Sequence, residues 1–115
     1  MGASENNHRS GEILTRAVQR AAAELEITSR QLALILGTDE SNLRTFIDPK
    51  SSEGFRAGQF ILIFRCLHAL MGNDSSAIAH WLKTKNREFT SSPIDRMQTG
   101  GGLEEVIAYL ESIKS

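Results

Sequence analysis

Apolar residues recur along this chain in bursts separated by glycine, proline and short polar stretches, and within most bursts the spacing is three and four, as on one face of a helix. Residues 1–9 are polar and lack periodicity, which predicts a disordered arm. From Ser10 the pattern changes. Ile13, Leu14, Ala17, Val18, Ala21, Ala22 and Leu25 predict a first helix over 11–26, with Arg16, Arg20 and Glu24 on its other face. Thr28 and Gln31 have capping-box spacing, so a second helix begins at Ser29, carries Leu32, Ala33, Leu34, Ile35 and Leu36, and stops at Gly37. Thr38 or Asp39 caps a third over 40–47, with Leu43 and Phe46 inward and Pro49 as its stop.

Beyond a Ser-, Pro- and Gly-rich loop at 48–54, a fourth helix is expected from Arg56 or Gln59 to Met71, closed by Gly72 and Asn73. Its Phe60-Ile61-Leu62-Ile63-Phe64 run has strand propensity, but Leu67, Leu70 and Met71 continue it at helical spacing and no strand partner exists elsewhere. The apolar surface nearly encircles this helix, so it must be covered on several sides. Asn73 or Asp74 caps a fifth helix holding Ile78, Trp81 and Leu82. Ser92-Pro93 opens a short sixth. The three glycines at 100–102 lead into a last helix over 103–113, with Val106, Ile107, Leu110 and Ile113 on one face. The expected fold class is all-α.

Composition narrows the function classes. At 115 residues and 12.7 kDa the chain makes one domain, or one with a small appendage, and has no room for a large substrate cleft. The longest apolar runs, 32–36 and 60–64, are far below the roughly 20 residues of a membrane span, and residues 1–10 lack a signal-peptide core, so a cytoplasmic protein without membrane contact is expected. The single cysteine, Cys66, cannot form an intrachain disulfide. The net charge of −1 makes no global case for a polyanionic partner.

Catalytic and metal chemistry find no constellation. Cys66 and His68 stand two apart on a helix and point to nearly opposite faces, His8 lies in the arm, and His80 neighbours Trp81. Glu104 and Glu105 follow the glycines at 100–102 and would repel an anion there. No enzyme activity, cofactor or metal site is expected. Lys83, Lys85 and Arg87 form a small basic loop suited to solvent or to an acidic partner.

Within 29–46, Leu32, Ala33, Leu36, Gly37, Leu43 and Phe46 have the pattern of a helix-turn-helix: a small residue where helices touch, glycine at the turn, and apolar anchors under a recognition helix. This resembles the Xre/Cro repressor class over about 13–49, with Thr38 where that class usually has an apolar residue. The resemblance implies a groove-facing set of Asp39, Glu40, Ser41, Arg44 and Thr45, and the expected DNA-binding residues are Ser41, Asn42, Arg44 and Thr45. Against it, 10–48 carries four Arg and six acids, the wrong balance for displacing counterions from phosphates.

Further on, Leu70-Met71-Gly72-Asn73-Asp74, Ala77-Ile78-Ala79-His80-Trp81-Leu82, Asn86, the Pro93-started helix, Gly102 and the Val106-containing last helix resemble the toxin-binding domain of the Xre/MbcA/ParS antitoxin family. The likeness spans about 67–113, with Phe89-Thr90-Ser91-Ser92 where the family usually has a glycine before the proline. It implies the antitoxin of a type II toxin-antitoxin system that neutralises a cognate toxin, commonly a RES-domain, NAD-consuming one, and that acts in transcription regulation at its own operator. The alternative is a phage-type Xre/Cro regulator with no toxin partner. The expected organisation is an arm at 1–9, a helix-turn-helix region at 10–54 and a toxin-binding helical unit at 55–115. Arg87, Asp95, Gln98, Lys114 and Ser115 are the expected polar contacts to toxin around the apolar Met97 and Ile113. A homodimer is expected, because the 60–64 run presents apolar groups on more sides than a short monomer covers and this class of DNA binder reads paired half-sites.

Overall fold

The computed structural model describes residues 2–114 and is all-α, with seven helices and no strand among the described residues. They are α1 (Gly2–Glu24), α2 (Ser29–Leu36), α3 (Glu40–Thr45), α4 (Ser52–Met71), α5 (Ser75–Lys83), α6 (Pro93–Met97) and α7 (Gly102–Lys114). The expected order of elements is present, and the 60–64 run is helical. Several boundaries differ. α1 starts at Gly2, so the stretch expected as an irregular arm continues the first helix. α3 stops at Thr45 because Phe46 is extended, which turns the Ile47 amide onto the buried Thr15 hydroxyl at 3.0 Å. α4 starts early because the Ser51 side chain accepts from the Gly54 amide at 3.0 Å and caps it.

The caps are the ones the sequence encodes. Thr28 and Gln31 make both bonds of a capping box, at 3.0 and 2.9 Å. Gly37 closes α2 with φ +73, while the Thr38 amide reaches back to the Ala33 carbonyl at 3.0 Å, as in a Schellman turn. Asp39 caps α3, Asp74 caps α5, and Ser92 caps α6 with Pro93 in its first turn.

Helix α4 is the centre of the molecule and packs against α1, α2, α5 and α7, while α6 fills the corner between α5 and α7. Phe60, Ile63, Cys66 and Leu67 are buried along it and join Val18, Leu25 and Leu36 on one side and Ile78, Leu82, Val106 and Leu110 on the other in one continuous core. Polar ties repeat this role: Gln59 Nε2 donates to Glu104 Oε1 on α7 at 3.1 Å, and His68 Nε2 stands 2.6 Å from Glu24 Oε2 at the end of α1. Most of the 60–64 run is therefore covered inside one chain, and within it only Leu62 is left exposed, at 43%. The expected division between residues 54 and 55 falls inside α4.

Gly54 and Gly102 are among the glycines that mark close approaches. A Cβ at Gly54 would meet the Asp48 carbonyl and Pro49 backbone, and one at Gly102 would meet the Arg96 carbonyl. Backbone cannot yield as a flexible side chain does, so Gly54→Ala and Gly102→Ala should each cost about 1–3 kcal/mol in urea denaturation. Gly100, which has open space around it, should accept alanine within about 0.5 kcal/mol.

Candidate functional site

Two regions carry the sequence-derived site residues, and they lie on different elements. In the first, α2, the turn at Gly37 and α3 form a helix, short turn and helix, with α3 held against α1 by a Gln19 side-chain bond to the Leu43 carbonyl. Ser41, Asn42, Arg44 and Thr45 are all exposed on α3. Three of them are engaged locally: Ser41 Oγ donates to Asp39 Oδ1 at 2.6 Å, Asn42 Nδ2 donates to Thr38 Oγ1 at 2.8 Å, and Thr45 Oγ1 donates to carbonyls of the preceding turn at 3.3 Å. Arg44 differs, because it lines an open groove of about 480 Å³ between α1, α2 and α3, together with Gln19, Ser29 and Glu40. The Ser41 hydroxyl and the Asn42 amide hold the Asp39 carboxyl below its ordinary value of 3.8, so it is an ionised cap at neutral pH.

The second region is built on α5, α7 and the 84–92 loop. The loop is closed by the Asn86 amide bonding to the Ser91 carbonyl at 2.9 Å. Arg96 of α6 pins it by donating to the Phe89 carbonyl and to Thr90 Oγ1, while its Nε lies 3.7 Å from Glu105 Oε2 of α7. Three aromatic rings then join the elements. Phe89, buried, meets Tyr109 edge-on at 5.3 Å between centroids, and Tyr109 lies nearly parallel to Trp81 at 6.3 Å. Trp81 and Tyr109 are half-buried, so each keeps an edge in solvent.

Arg87 and Ile113 are both exposed on the segments that these rings join. Arg87 is exposed two residues before Phe89, and Ile113, 51% exposed, follows Tyr109 by one turn of α7 with Lys114 beside it. Asp95 is exposed in the first turn of α6. Gln98 lines a separate cleft of about 230 Å³ with Leu34, Arg56, Gly101 and Glu104. Met97 must be withdrawn as a contact: it is 1% exposed, because Pro93, Ile94 and Met97 all point inward from the single turn of α6. Ser115 lies outside the described residues. Sequence reasoning placed Trp81 with Ile78 and Leu82 on the fifth helix and passed over Tyr109. The signal available was that Tyr109 stands four residues before Ile113, so that the two share one face of α7.

Elsewhere, Glu24 Oε2 accepts from Ser75 Oγ at 2.8 Å and faces His68 Nε2, while His68 Nδ1 is 3.1 Å from Asn73 Oδ1. The Ser75 hydroxyl is thus turned to the carboxylate and not to the imidazole, so this cluster ties the α4–α5 corner to α1 and lacks the relay of a nucleophile and base. Among the described residues no group of three His, Cys, Asp or Glu side chains is placed to hold a metal ion, and no helix is long and apolar enough to cross a membrane.

Glu104 supplies a check on the tie between α4 and α7. Its carboxyl is held below the ordinary 4.5, first by the Gln59 side chain, then by its own backbone amide, with Arg56 adding a favourable charge. A lowered carboxyl contributes stability that is fully present above the unfolded-state value and is lost as pH falls through the folded-state value. Urea midpoints of the wild type should therefore fall on acidification below about pH 4.5 more steeply than those of Glu104→Gln.

No curated protein matches the chain. Residues 66–115 match the family described as the antitoxin Xre/MbcA/ParS C-terminal toxin-binding domain. That segment spans the last part of α4 together with α5, the 84–92 loop, α6 and α7, which are the elements of the aromatic and basic surface. Over residues 66–115 this chain is thus similar to the Xre/MbcA/ParS family of antitoxin toxin-binding domains.

Proposed function

We propose that this protein is the antitoxin of a type II toxin-antitoxin pair, that its toxin is a RES-domain, NAD-consuming protein, and that two copies of the chain bind the pair's operator. The observation that carries the reading is the family match of 66–115, falling on the elements that present Trp81, Tyr109, Arg87, Ile113 and Lys114. Half-exposed Trp and Tyr are the side chains that most often anchor protein interfaces, and exposed Arg87 and Lys114 fit a polar rim facing an acidic toxin surface. Asp95 belongs to the same rim, and Gln98 to a second contact at its own cleft. Neutralisation in this reading is occlusion: the antitoxin covers the toxin's site and performs no chemistry of its own.

The test uses the full chain. Cells expressing the toxin encoded in the neighbouring reading frame should regain growth with the wild type and not with Arg87→Glu/Lys114→Glu. Each of those surface changes should shift stability by only ~0.5 kcal/mol, checked by circular dichroism. A double variant that is folded and still protects cells places the toxin contact elsewhere.

Operator binding is supported by the exposed α3 and by Arg44, the cation among its four candidate residues. Removing Arg44 should cost about 1–3 kcal/mol of specific affinity. Replacing both Asp39 and Glu40 by serine should tighten binding, since serine at position 39 can still cap α3 while two negative charges leave the DNA-facing end. Titrations of the operator fragment at fixed salt measure both effects.

A further inference from the structure

Gly58 stands in the interior of α4, and a Cβ built there meets nothing within 4 Å. Gly54 in the same helix is explained by backbone pressed against it; Gly58 is not. Glycine in an exposed helix interior weakens the helix relative to alanine, and inside this chain nothing compensates. Bare backbone is useful where a second helix must come close, because interaxial distance is set by the side chains at the crossing.

The neighbours of Gly58 fit that purpose. Phe55, Gly58, Leu62, Arg65 and Ala69 follow one another at alternating spacings of three and four, the seam along which two helices interdigitate, and all five are exposed. Phe55 is 66% exposed. Ile13 of α1, 63% exposed, extends the apolar surface, and together with Ala17, Gly58, Ile61 and Arg65 it lines an open groove of about 400 Å³. Arg65 makes no ion pair among the described residues.

The order of residues on the seam indicates its occupant. About a two-fold axis near residue 60, an antiparallel copy of α4 sets Leu62 over Gly58, large side chain against bare backbone, and sets the Arg65 guanidinium beside the Phe55 ring, cation against aromatic face. Each contact occurs twice. We propose that this seam is a homodimer interface in which two copies of α4 cross antiparallel near residue 60, with Gly58 as the hole and Leu62 as the knob. The inference deepens the two-copy reading above and does not depend on the toxin.

Sedimentation velocity and light scattering at tens of micromolar should find the wild type dimeric. Gly58→Leu fills the hole twice per dimer and should raise the dissociation constant about 100-fold or more while helical circular dichroism is kept. Ala108→Leu, an equal enlargement on the exposed face of α7, should leave the dimer intact. Register is read by oxidation in a Cys66→Ala background: Phe55→Cys chains mixed with Arg65→Cys chains should cross-link, and Phe55→Cys chains alone should not. A monomeric wild type overturns both this pairing and the two-copy reading. A Gly58→Leu variant that stays dimeric, or cross-linking of Phe55→Cys with itself, overturns the pairing alone.

Discussion

The rest of the structure depends on covering one helix from several directions. α4 carries buried groups at Ala57, Phe60, Ile63, Cys66 and Leu67 with Ile61 and Phe64 half-buried between them, so no single neighbour can remove its apolar surface from water. The chain answers with α1 and α2 ahead of it in sequence and α5 and α7 after it. Short capped helices suit this task, because each delivers one or two large side chains and then turns away. The single inward turn of α6, with Pro93, Ile94 and Met97, is the extreme case.

Much of this was legible because it is written in local chemistry. The capping box at Thr28 and Gln31, glycine at 37 and 72, and proline at 93 each act within a few residues, and the structure uses all of them as helix starts and stops. The misses have longer-range causes. α3 ends at Thr45 because Thr15, distant in sequence, captures the Ile47 amide, and no pattern within 40–47 announces that bond. Met97 looked available for a partner because a five-residue helix has too little periodicity to tell its inner from its outer face. The surface at Trp81 and Tyr109 was hidden for a related reason: a tryptophan in a small domain is read first as core, and only packing shows which edge stays outside.

The family boundary and the folding unit do not coincide. The matched segment begins at Cys66, late in α4, yet earlier residues of the same helix hold both ends together: Arg56 donates to the Leu36 carbonyl at 3.4 Å, and Gln59 bonds Glu104. The buried cluster runs unbroken from Val18 to Leu110. A chain of this size with one core is expected to unfold in a single transition. The segment that carries the toxin-binding family signature and the segment with the helix, turn and helix are then two faces of one cooperative body.

That shared core also holds the protein's only thiol. Cys66 is buried in α4 where the two faces meet, so an alkylating reagent reaches it only when the core opens. In the fast-closing regime its labelling rate is proportional to the open population, and any ligand that binds the closed form slows it by the same factor that measures binding. The native sequence thus contains a chemical clock, readable by mass in unfractionated mixtures, that registers occupancy of either face without a tag.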